Sequence, residues 1–232
     1  MANAGFSAAT DYFGPIVGLT AKESSENGSS SVAEASNRFG DTIAVDKYDD
    51  RKHPSVTYAV TGEASTFPAL GSIKTLDGMN IMVTNIAIST AAGQPPTVTI
   101  SGEEVPNAVS EVRTYSVSAT VKPRCKAQDV FGMFKDEYTE TTTLVDFTSV
   151  NTTFSVEFVN QTVAGEIVAA CPSKGKVEVQ ATLTSADGTG SLSLATNRNK
   201  ATLSASSKNA PDAGYVQITA TATEALVGVE AK

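Results

Sequence analysis

His53 is the single histidine of the chain, and Cys125 and Cys171 are its two cysteines. Imidazole titrates near neutrality and a thiolate is a strong nucleophile, so these three residues are the first places to look for chemistry. Their setting argues against catalysis. His53 precedes Pro54 and has no cysteine or nucleophilic serine motif beside it, which suits a packed or surface residue better than a general base. The cysteines lack zinc spacing and are too few for a disulfide scaffold. They read as two reduced, partly buried thiols, with a single bridge between strands left open.

Carboxylates come next. Asp46, Asp49 and Asp50 interleave with Lys47, Arg51 and Lys52 between residues 41 and 52. Clustered carboxylates on a loop suit a hard cation such as calcium, but this stretch lacks the glycine and the distal glutamate of an EF-hand loop. A solvated, salt-bridged loop is the better expectation, and cation binding stays open. Glu103 and Glu104 are adjacent, so on a strand they face opposite ways and cannot flank one glycosidic bond. The sequence holds no phosphate-cradling glycine loop, no Gly-x-Ser-x-Gly, no His-Glu-x-x-His and no Cys-x-x-Cys. Asn27, Asn151 and Asn160 begin glycosylation sequons, which a chain rich in Asn, Ser and Thr produces by chance. The expectation is a non-enzyme with no catalytic, cofactor-binding or metal-ligating residue and no cofactor.

Charge and size bound the partners. The 232 residues carry 17 Lys+Arg against 25 Asp+Glu, a net charge of −8, so the field repels phosphate and tight nucleic-acid binding is not expected. No basic segment leads into an apolar run at the N-terminus and no stretch is apolar enough to span a bilayer, so neither export nor membrane insertion is expected. There is no Trp and only 6% aromatic residues, which argues against sugar stacking. A chain of this length forms one all-β domain or two small ones.

The elements that would position these residues are strands. Tyr115, Val117, Ala119 and Val121 alternate with Ser116, Ser118 and Thr120, the period of a half-buried strand. Residues 79–90, 96–101 and 112–121 form a meander, 55–61 alternates in the same way, and 56–62 resembles 113–119, as a duplicated β unit would. In 79–90 the apolar set changes parity, from Ile81 and Val83 to Ile86 and Ile88, which predicts either burial on both faces or a bulge near Thr84–Asn85. Further strands are expected at 141–146, 152–160, 166–170, 176–184, 190–195, 201–205 and 214–223, separated by turns that include 172–175. One segment changes period. Ala127, Val130, Phe131, Phe134 and Tyr138 recur at helical spacing, which predicts one short helix over 127–138 docked by its aromatic face. Residues 22–31 and 41–52 are expected as polar loops, and 31–38 as one or two helical turns. The organisation is then a loop-rich N-terminal arm with a charged loop (1–54), a β-sandwich or barrel-like core (55–223) and a C-terminal tail (224–232).

An acidic, Thr/Ser/Ala/Val-rich β protein with polar arms, one short helix and a strand-like end resembles virion structural proteins of tailed phages. It is most similar to tail-tube subunits, whose fold is a β-sandwich with a flanking helix and arms, stacked as rings around a DNA channel. The resemblance covers the whole chain as pattern, with no diagnostic motif, so it carries no functional residue with it. It implies self-assembly into rings or tubes, contact with other virion proteins, assembly in the host cytoplasm and residence in the virion. Capsid decoration, a head–tail connector and an Ig-like surface adhesin remain the alternatives.

Overall fold

A computed structural model describes residues 9–36, 38–106, 113–123, 127, 129–135, 145–163, 166–185, 192–209 and 216–230. The all-β expectation holds: among the described residues there are eleven strands and no helix. They are β1 (Leu19–Ser36), β2 (Thr42–Val60), β3 (Ile73–Leu76), β4 (Met79–Ala91), β5 (Thr97–Val105), β6 (Arg113–Tyr115), β7 (Val145–Val163), β8 (Glu166–Ser185), β9 (Thr202–Asn209), β10 (Val216–Ala225) and β11 (Gly228–Glu230). The main sheet runs β1-β2-β5-β4-β7-β8-β10-β9, with β3 beside β4, and every pairing in it is antiparallel.

Alternation along each strand becomes rows across the sheet. Val56, Ile100, Ile86, Phe154 and Val177 stand opposite one another on successive strands, all buried, and Tyr58, Val98, Ile88, Thr152, Val179 and Ala222 form the next row. Burying each large aliphatic or aromatic side chain in them is worth about 1.5–3 kcal/mol. The opposite face is hydroxylated, with Ser55 bonded to Ser101 at 3.1 Å, Thr57 to Thr99 at 3.2 Å and Thr182 to Thr219 at 3.2 Å.

A second layer covers the apolar face. Tyr115, Val117, Ala119 and Val121 point alternately into the core, although only Arg113–Tyr115 of that stretch is strand. Val121 exchanges two backbone hydrogen bonds with Ala64, and Tyr115 two with Leu70, all at 2.9 Å. Residues beyond 224, expected as a frayed tail or docking arm, return to this layer as β11, paired with β6.

The helix expected at 127–138 does not form in the described part, residues 127 and 129–135. Gly132 has φ +67°, and the Asp129 carboxylate accepts the backbone N–H groups of Phe131, Gly132 and Phe134, which a helix would not leave free. Phe134 instead bridges to Leu194, and Phe131 meets Phe154 edge to face at 5.4 Å. The aromatic spacing reflects core contact without helical backbone. Residues 136–138 lie outside the described ones.

Three further expectations change. Residues 22–31 and 42–52 are strand, parts of β1 and β2, and the helical turns expected over 31–38 give way to β1 as far as Ser36. The turn expected at 172–175 lies inside β8, where Lys174 at φ +49° and a register shift between Ser155 and Glu157 mark an irregularity within a continuing pair. The bulge predicted in β4 is present: the register with β5 shifts between Val83 and Asn85.

Candidate interaction surface

Two hairpins continue past the core rows. In β1–β2 every side chain described between residues 22 and 45 is exposed. The strands are held there by backbone pairing, from Glu26 opposite Pro54 to Ser36 opposite Thr42. Ion pairs brace the root. Lys52 Nζ lies 3.0 Å from Glu26 Oε1, Tyr12 Oη donates to Glu26 Oε2 at 3.1 Å, and Arg51 pairs with Glu103. The Lys52 ammonium holds the Glu26 carboxyl below its usual range.

The far end is apolar. Val45 sits opposite Glu34, which places Val45, Ile43 and Val32 on one face of the ribbon by alternation, while Ala35 pairs with Ala44 on the other. Phe39 caps the turn, where Gly40 adopts φ +89° and the Arg38 guanidinium lies 4.7 Å from the ring centre. Phe39, Ile43, Val45 and Val32 are 74%, 66%, 61% and 54% exposed, so this end is a polar ribbon tipped with uncovered hydrocarbon. The β7–β8 hairpin has the same character: Val159 and Val163 are exposed beyond Val156, where the buried run of β7 stops.

The sequence candidates fall elsewhere. His53, opposite Asn27, shares a 2.7 Å hydrogen bond between Nε2 and Ser29 Oγ, a cross-strand surface pair with no nucleophile arrangement. Cys171 is half-buried on β8 with a free thiol, and Cys125 lies outside the described residues. Asp46, Asp49 and Asp50 lie on β2, with side chains outside the described ones. Glu103 and Glu104 part as expected, Glu103 to Arg51 and Glu104 to the backbone N–H of Lys52 at 3.1 Å. Of the sequon residues, Asn151 accepts a bond from Ser89 Oγ at 2.7 Å and Asn160 is exposed on β7. Among the described residues no three His, Cys, Asp or Glu side chains are grouped to hold a metal, and no helix is long and apolar enough to cross a membrane.

Sequence reasoning missed Val32, Phe39, Ile43 and Val45. The signal was present: Ile43 and Val45 have the strand period, and with Phe39 they interrupt a stretch otherwise too polar to pack. No protein-family model and no curated protein matches the chain.

Proposed function

We propose that this chain is a non-enzymatic structural protein of a virion that assembles with copies of itself, most like a tail-tube subunit lining a channel for DNA. The observation that carries the reading is the uncovered apolar end of the β1–β2 hairpin, because hydrocarbon held away from a protein's own core gains free energy only when something else covers it. Copies of the chain are the first partner, and other virion proteins the second. The net charge of −8 supports a passive relation to DNA, which such a surface would let pass without adhering. Residence in the virion, after assembly in the host cytoplasm, belongs to the same proposal. Docking of the same hairpins on a capsid lattice or at a head–tail junction is the neighbouring reading.

The test pairs sedimentation with negative-stain microscopy of wild type and of a chain carrying Val32→Ser, Phe39→Ser, Ile43→Ser and Val45→Ser. Wild type should form rings, tubes or defined oligomers, and the variant should stay monomeric with an unchanged melting transition. A wild-type chain that remains monomeric at high concentration would sink the proposal in favour of an Ig-like binding module.

A further inference from the structure

We propose that Asn27 and Gly28, adjacent on β1, form a spontaneous modification site, at which Asn27 loses ammonia through a cyclic imide and returns as aspartate or isoaspartate. The site acts within one chain and does not depend on self-assembly.

The chemistry needs a backbone nitrogen that can approach the preceding side-chain amide. The Gly28 nitrogen attacks Asn27 Cγ, and the new C–N bond closes the imide ring. The proton of that nitrogen departs with the side-chain NH2 group as ammonia. Water then opens the ring. Attack at Cγ leaves an ordinary aspartate, whereas attack at the Asn27 backbone carbonyl leaves the chain running through Cβ and Cγ. No oxidant or cofactor enters. A side chain on the following residue crowds the attack, and Asn27 is the one asparagine in the sequence that precedes a glycine.

The surroundings make the position permissive. Both residues are exposed. Extended backbone holds Cγ away from the nitrogen, so the strand pair must open first. Opening is cheap here: residues 23–29 lie between two register shifts, every side chain from 22 to 30 is exposed, and the Lys52–Glu26 ion pair is itself partly open to water. His53, the cross-strand partner of Asn27, is bonded through Nε2 to Ser29 Oγ at 2.7 Å. By alternation both stand on the face of Asn27, where a hydroxyl and an imidazole serve the proton transfers. Gly28 has no conformational duty. Its φ is not positive, and a Cβ there would come no nearer than 4.0 Å, to the Arg51 carbonyl oxygen. Isoaspartate would lengthen the backbone of β1, so the pairing from Ser29 opposite Arg51 outward to Ser36 opposite Thr42 would lose register.

The full-length chain is incubated at mildly alkaline pH below its melting transition, digested and mapped by mass spectrometry. Asn160 is the internal standard: it too is exposed, on β7 opposite Ala170, but Gln161 follows it. Asn27 should convert roughly tenfold faster than Asn160, equal to about 1.4 kcal/mol of barrier, and should give both isoaspartate and aspartate. Gly28→Ala should remove that advantage without moving the melting transition. If the alanine variant melts early, Asn27→Gln replaces it, since its larger ring closes more slowly and the ammonia loss should vanish. Equal rates at Asn27 and Asn160, conversion unchanged by Gly28→Ala, or aspartate without isoaspartate would overturn the proposal.

Discussion

Asp129 is the residue that decides the conformation of the loop under the sheet. One carboxylate oxygen accepts N–H groups at 3.1 and 2.9 Å and the other accepts one at 2.7 Å. Asn keeps one acceptor but turns an N–H group toward a backbone donor, so Asp129→Asn should cost about 1–3 kcal/mol in urea melts. Burial raises the Asp129 pKa above the ordinary 3.8, outweighing the backbone bonds that lower it. A raised carboxyl means that the folded state binds the proton more tightly. The group's contribution is therefore full below the ordinary value and is lost as pH rises through the raised one. The stability difference between wild type and Asp129→Asn should shrink over that interval; a difference that grows would reverse the assignment. Thr152 makes the opposite case. Its hydroxyl is fully buried in a core row with no partner among the described residues, so Thr152→Val should be neutral or add about 1 kcal/mol in the same melts. A clear loss would mean that the hydroxyl is bonded. Asp129 with Gly132 three residues on is a legible turn signal, but it sits among aromatics whose spacing also satisfies a helix, and packing on the sheet decided between them.

At the scale of elements, period-two alternation identified the strands of the buried rows, but it also marked 116–121 and 192–195, which lie outside the strands. It identified the β4 bulge for the same reason, since a parity change in a buried row is a change of register. It failed where burial stopped. The outer half of the β1–β2 hairpin has no apolar row, so its backbone pairing left no trace in residues 22–36 beyond a polar composition suited equally to loops. The turn residues at 172–175 misled because an irregularity and a turn use the same chemistry, Gly and a left-handed residue. Gly175 has a separate duty: a Cβ there would strike the Tyr115 ring, and its carbonyl accepts the Leu226 N–H at 2.8 Å. Gly175→Ala should push the second layer off β8 and cost about 1–3 kcal/mol, as overpacking does. A thermal melt matching wild type would show that Tyr115 can move aside.

For the whole molecule, two regimes of stability follow from where the core stops. Hydrogen exchange on the chain in isolation should find slow amides in residues 55–60 of β2, whose alternate side chains are buried, and faster ones in 34–36 and 42–45, whose side chains are exposed. On the proposed self-association the fast set should slow down; equal rates at low and high protein concentration would count against it. The candidate surface was thus legible as a composition and illegible as a shape, because a projecting ribbon is defined by what it fails to touch. The strand order carries a kinetic consequence. β2 bonds β5, with Ser55 against Ser101 46 residues away, and β4 bonds β7 across a wider gap, so neighbouring hairpins must find one another through long loops before either gains its row of contacts. Each new chain therefore spends its slowest moments with the two ribbons already able to form and the sheet between them unclosed. Where many copies are made at once, the rate of that closure, more than the final stability, sets how many chains complete the sheet before they meet one another unfinished.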